Sequence, residues 1–247
     1  MFVLFLALGT GNMRAETTNA LSDAEIQGRK LAQQLLEQSP AENFTNTGVL
    51  KIRDGKGKTT EVPIHFETFV TTTNWTSVYE LSPPNVLTFK KLVVVHDSAS
   101  SNQYRLTFNF GGDPDKHWIK DNSDIIKMLS FAGDFGCADL GLEFFHWPQQ
   151  KVLPKTTPLS RGRSYTLLES TNPNPSTNGY SRVLSWIDKE TGGILEAEAY
   201  DARGKLLKVF EPKSFKKVNG QWELQEMEIR NVQTGSRTRL EFDLNKK

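Results

Sequence analysis

The chain has 247 residues, with 30 Lys and Arg against 29 Asp and Glu and a net charge of +1. This balance lacks the clustered basic excess of a nucleic-acid binder, so Lys90–Lys91 and Lys216–Lys217 read as solvated strand faces, and no nucleic-acid partner is expected. No Pro/Gly/Ser-rich linker divides the chain, and its one cysteine, Cys137, reads as a small buried hydrophobe.

Residues 1–15 stand apart. Phe2–Leu8 is apolar but far shorter than the about 20 residues that span a bilayer. With the small Ala15 behind it, the run reads as the apolar region and cleavage zone of a secretory signal, although no basic residue precedes it. Export is therefore expected, with residues 16–247 forming one domain.

Leu21–Gln38 predicts a helix. Ser22 with Glu25 makes a capping box, Leu21 and Ile26 are spaced as a hydrophobic staple, and Gly28, Leu31, Ala32, Leu35 and Leu36 form one apolar stripe. Strands follow between Gly48 and Phe110. In the last of them Tyr104, Leu106, Phe108 and Phe110 alternate with Arg105, Thr107 and Asn109. A second helical region is predicted from Asp121 to Leu129. A third is predicted over Asp139–Trp147, with Leu140, Phe144 and Trp147 on one face and Pro148 ending it.

From Tyr180 to Leu244 the chain is strand and short turn in succession. YSRVLSWID, GILEAEAYD, LLKVFEPKSFKKV, WELQEMEIRNV and TRLEFDL are separated by breaks holding Gly with Asp, Asn or Lys. Connections this short join only antiparallel strands. Thr238, Leu240, Phe242 and Leu244 point to one face, and Arg237, Arg239, Glu241 and Asp243 to the other. Leu195, Ala197 and Ala199 similarly oppose Ile194, Glu196, Glu198 and Tyr200, and their small size leaves room for something bulky above them. Trp186 and Trp222 read as anchors of their strands. Helices at the start and middle, with strands around them, make an α+β fold on one large antiparallel sheet.

Signatures of enzyme chemistry are missing: G-x-S-x-G, H-E-x-x-H, C-x-x-C and a phosphate-cradling loop do not occur. His65, His96, His117 and His146 lack metal-ligand spacing. Asp113-Pro114-Asp115 beside Gly111-Gly112 offers two carboxylates and no following Glu, which makes a turn and not a calcium loop. No catalysis, metal or cofactor is expected.

The segment from Phe131 to Leu244 resembles the LolA-like family of outer-membrane lipoprotein-sorting proteins. The resemblance is carried by FAGDFGCADL, GRSYTLLES, YSRVLSWIDKETGGILEAEAYDARGKLLKVF and VNGQWELQEMEIRNVQTGSRTRLEFDL, taken as an ordered set. It implies a curved, unclosed antiparallel half-barrel (LolA/LppX-like) of about ten or eleven strands, with helices covering the concave face. It further implies a monomeric, non-catalytic periplasmic carrier that holds acyl chains of lipids or lipoproteins between sheet and helices. An inner-membrane exporter and an outer-membrane acceptor would be its partners. The other reading is a periplasmic sensor or interaction module of the same shape, whose groove receives a partner segment. The family carrier's latching arginine is matched by Arg53 in order only and is not carried over.

On that implication, the inward-phased apolar residues Leu50, Ile52, Ile64, Phe66, Leu106, Phe108, Leu195, Leu240 and Phe242 would line the acyl cavity, faced by Leu31 and Leu35 of the first helix. Each of them serves a solidly packed core equally well. Burying a methylene contributes about 0.8 kcal/mol, so an acyl chain of about 16 carbons gains on the order of 10 kcal/mol before association costs.

Overall fold

The computed structural model describes residues 21–82, 89–109, 117–120, 130–154, 163–177, 179–218 and 221–244. The expected signal at residues 1–15, the helix expected over Asp121–Leu129 and the Gly111–Asp115 turn lie outside them. The first helix, α1 (Asp23–Leu36), starts where its capping box predicts: the Ser22 N–H donates to Glu25 Oε2 at 2.8 Å and the Glu25 N–H returns to Ser22 Oγ at 3.4 Å.

Six strands follow: β1 (Phe44–Arg53), β2 (Thr59–Val70), β3 (Trp75–Leu81), β4 (Phe89–His96), β5 (Gln103–Asn109) and β6 (His117–Lys120). After a crossing segment come β7 (Gln149–Leu153), β8 (Tyr165–Thr171), β9 (Tyr180–Asp188), β10 (Ile194–Asp201), β11 (Leu206–Val218), β12 (Gln221–Asn231) and β13 (Arg237–Phe242). The turns are set by side chains that cap their own loops. Asp201 Oδ1 accepts from the N–H groups of Arg203 and Lys205, both at 2.9 Å, and Asn231 Oδ1 does the same for Gln233 and Thr234.

Among the described residues thirteen strands pair antiparallel in one open sheet, ordered β6-β5-β4-β3-β2-β1-β13-β12-β11-β10-β9-β8-β7. This exceeds the ten or eleven strands that the resemblance implies. Two meanders build the sheet: β1–β6 runs from the centre out to one edge and β7–β13 runs from the other edge back to the centre, where β1 and β13 join them with Leu50 opposite Leu240. The sheet is bent. Six spacings separate β3 from β10, about 29 Å if the sheet were flat, yet Tyr79 of β3 and Ala197 of β10 line the same cavity.

The chain leaves β6 at one end of the sheet and enters β7 at the other, so residues 130–148 cross the hollow. They contain α2 (Cys137–Leu140) and a single 3₁₀ turn, Glu143–His146, where one continuous helical piece is expected from Asp139 to Trp147. Two apolar clusters form beneath this strap. One joins Phe131, Phe135 and Cys137 to the inner faces of β1–β5, β12 and β13; the other joins Phe144 and Phe145 to α1 and β8–β11. Against them α1 buries Ala32 and packs Leu31, Leu35 and Leu36, the stripe expected of it.

The outer face of the central strands is polar, as the alternation predicts. Arg239 reaches Glu226 at 2.8 Å and Glu228 at 2.9 Å, and Lys51 reaches Glu241 at 2.7 Å. Among the described residues no helix is long and apolar enough to cross a membrane.

Candidate ligand-binding site

The strap lies close to the sheet because small residues and buried polar groups hold it there. A Cβ at Gly141 would overlap the Tyr104 hydroxyl, so only glycine permits the approach. The next residue, Leu142, adopts the left-handed conformation with φ of 50°, which costs a non-glycine residue about 1–2 kcal/mol. This reversal turns the chain from α2 into the 3₁₀ turn and leaves the Leu142 side chain 39% exposed.

Two polar pins fix the strap. In the first, Lys208 of β11, 3% exposed, donates to the Asp134 carbonyl at 2.6 Å and to Asp139 Oδ2 at 3.1 Å. Tyr180 of β9 donates its hydroxyl to Asp139 Oδ1 at 2.8 Å, and the Asp134 carboxylate takes the Thr238 hydroxyl at 3.0 Å. Burial and the neighbouring Asp139 carboxylate push the Tyr180 hydroxyl well up from its ordinary value. Burial also pushes the Cys137 thiol up to about 12, so this side chain is an inert part of the core.

In the second pin, Tyr104 of β5 donates to Glu143 Oε2 at 2.9 Å, and Asn102 Nδ2 donates to the Gly141 carbonyl at 2.7 Å. His146 Nε2 lies 3.1 Å from Asn102 Oδ1. Burial pushes the Glu143 carboxyl up to about 7, so it holds its proton to near neutrality. Nearby, His96 stacks on Trp75 with 3.6 Å between ring centroids and meets the Ser77 hydroxyl at 2.7 Å. Burial, with His146 adding to it, pushes this imidazole down to about 3.

Among the described residues, two neighbouring hollows lie between strap and sheet. The inner one is a cavity of about 240 Å³, walled by Tyr79 and His96 on one limb, Leu140 and Phe144 of the strap, and Ala197 and Ala199 on the other limb. The outer one is a groove of about 740 Å³ between the end of α1 and the β11–β12 hairpin, lined by Leu35, Leu195, Pro212, Phe215, Trp222 and Leu224. They adjoin across Leu142, Ile194 and Phe210, which line both. The groove's rim is unusually apolar for an exposed surface, with Phe215 51% and Trp222 71% exposed. Trp222 is thus a protruding side chain where the sequence suggests a strand anchor.

Of the residues expected to line a cavity, Leu35 and Leu195 lie in the groove. Leu31 packs in the cluster under α1. Leu50, Ile64, Leu106 and Leu240 are buried in the cluster beneath the strap, with Ile52, Phe66 and Phe242 against it; none of these seven lines the cavity or the groove. Phe108 sits on β5 opposite Trp118, its side chain outside those described. The alternation assigns Ile194 and Leu195 to opposite faces, but the register jumps from Ile194↔Ile187 to Glu196↔Trp186. This irregularity at Leu195 brings Ile194 onto both hollows as well. The lining that sequence reasoning missed includes Tyr79, Leu142, Phe210 and Met227. The available signal was the small inward pair Ala197 and Ala199, which leaves the space that the cavity occupies.

The crystal structure of an outer membrane lipoprotein-sorting protein domain from Vibrio parahaemolyticus superimposes with a TM-score of 0.70 at 18% identity, covering 89% of this chain and 91% of that one. The fold is LolA-like. A DUF1329 family protein from Desulfovibrio piger is similar at a TM-score of 0.69 and 20% identity, over 90% of this chain and 92% of its own. A LolA superfamily protein from Nitrosomonas europaea follows at 0.57 and 15% identity, over 90% and 92%. A family model described only as an uncharacterized protein matches residues 127–246, from the strap through β13 of the LolA-like sheet. No curated protein matches the sequence.

Proposed function

We propose that this protein is a non-catalytic periplasmic carrier that takes acyl chains of lipids or lipoproteins into the cavity and groove and sorts them towards the outer membrane. Residues 1–15 would direct export, and residues 16–247 would act as one monomeric unit between an inner-membrane exporter and an outer-membrane acceptor. The observation that carries this reading is the adjacency of the two hollows. An exposed apolar groove of about 740 Å³ abuts an inner cavity of about 240 Å³ at Leu142, Ile194 and Phe210, which sets two neighbouring spaces beside each other for a long apolar ligand. The likeness of the fold to that of a lipoprotein-sorting domain supports the same reading.

Ligand binding here rests on transfer of methylenes out of water, about 0.8 kcal/mol for each. Ala197→Leu with Ala199→Leu narrows the cavity without adding a polar group. The expected result is acyl chains in organic extracts and native mass spectra of the wild type, and their loss or shortening in this variant at unchanged fold. A wild type purified from its natural compartment without any acyl ligand would sink the carrier reading.

A further inference from the structure

The β11–β12 hairpin runs past its neighbours. Pairing with β10 extends along β11 to Ala197↔Phe210, and pairing with β13 ends at Glu226↔Glu241. Beyond these points β11 and β12 pair only with each other, through Phe215↔Leu224, Lys216↔Glu223, Lys217↔Trp222 and Val218↔Gln221. A two-stranded ribbon projects from the sheet. The two-residue period places Phe215, Lys217, Trp222 and Leu224 on one of its faces, and that face continues the groove through Phe215, Trp222 and Leu224.

The ribbon's exposed surface joins two chemistries. Trp222 and Phe215 are 71% and 51% exposed, although each gains by leaving water. Beside them at the ribbon's end lie Lys216, opposite Glu223, and Lys217, while Lys213 at its base is paired with Glu211 and Glu228. Amphipathic aromatic rings settle at a membrane's headgroup level, and adjacent lysines are drawn to anionic lipid. The size of the patch separates a bilayer from a protein partner. Two aromatic side chains bury about 300–500 Å² between them, short of the about 800 Å² that each side of a stable protein interface needs. A fluid bilayer accepts so narrow a wedge.

We propose that the projecting β11–β12 ribbon, with Trp222 and Phe215 on one face and Lys216 and Lys217 beside them, docks the protein on an anionic lipid bilayer. The docked ribbon brings the open groove to the membrane surface. This goes beyond the carrier reading and stands without it.

The test uses the full mature protein and floated vesicles of phosphatidylcholine, with and without phosphatidylglycerol. Wild type is expected to partition onto the phosphatidylglycerol vesicles, less so as salt screens the lysines. Lys216→Gln with Lys217→Gln should lower that partition about tenfold or more and leave bound acyl chains unchanged, since neither side chain lines the groove. Trp222→Ser with Phe215→Ser should lower partition onto both vesicle types. Unchanged thermal melting identifies folded variants. Vesicle binding that behaves this way in a protein carrying no acyl chain upholds docking and removes the carrier reading instead. Equal partition of wild type onto both vesicle types, or partition unaltered in both variants, overturns the proposal. So does a concentration-dependent dimer, or capture of a protein partner without lipid, that Trp222→Ser abolishes.

Discussion

Lys208 on β11 and Asp139 on α2 meet at 3.1 Å beneath the strap, where the lysine is 3% exposed. The pair joins a strand of one meander to the segment that links both. A buried charge of this kind stabilises only while its partners remain, because its water has been stripped away.

Lys208→Met is therefore expected to destabilise the protein by about 3–5 kcal/mol, leaving Asp139 buried without its cation. Urea unfolding monitored by circular dichroism measures the loss. A change below about 1 kcal/mol, the worth of an exposed pair, would show that the strap is held by other means.

Glu143 predicts a pH dependence. Its folded value, about 7, lies above its ordinary 4.5, so between these values the folded protein keeps a proton that the unfolded chain has released. The stabilisation is complete below the ordinary value and is lost as pH rises to about 7. His96 works in the opposite sense. Its folded value near 3 means that stability is lost as pH falls below the ordinary 6.5. The two partly cancel in wild type, so the comparison with Glu143→Gln is the informative one. The stability difference between wild type and this variant should shift against wild type by up to about 3 kcal/mol from pH 4.5 to 7. A pH-independent difference would mean that the Glu143 carboxyl ionises normally.

Gly28→Ala should destabilise despite alanine's advantage of about 1 kcal/mol in a helix. A Cβ here would run into the backbone of Gln150 and Lys151, so α1 must lift from β7. Because β7 ends the sheet, the lifted helix also uncovers an edge strand, and hydrogen exchange at β7 should quicken. Slower exchange or a higher melting temperature would contradict this packing.

Leu50→Ala should cost about 2–5 kcal/mol, since Leu50 is 1% exposed and fully packed. Ile194→Ala should cost no more than about 1–2 kcal/mol, since its side chain already borders open space. Equal losses in thermal unfolding would argue that the cavity is collapsed in solution.

Much of this architecture is legible locally. The capping box fixes the start of α1, and the two-residue period with Asp, Asn and Gly turns places β9 to β13. The alternation also finds the inner face, as Leu50, Leu106 and Leu240 show. What it cannot find is which part of that face the strap covers. That depends on residues 130–148 crossing between distant edges, and on contacts such as Tyr104 with Glu143 that no short window contains. One irregularity at Leu195 is enough to move Ile194 onto the cavity. Exposure of Trp222 follows from how far a hairpin outruns its neighbours, a length comparison between strands and not a property of the tryptophan.

The pairing of β1 with β13 also orders events in time. As the polypeptide emerges from the ribosome, β1 lacks its central neighbour until the last strand has been made. The seam at the middle of the sheet is accordingly closed by ends far apart in sequence, a slow kind of contact to form. Until that zipping occurs the two meanders share no seam, and the edges of β1 and β12 that meet β13 in the finished sheet stay uncovered.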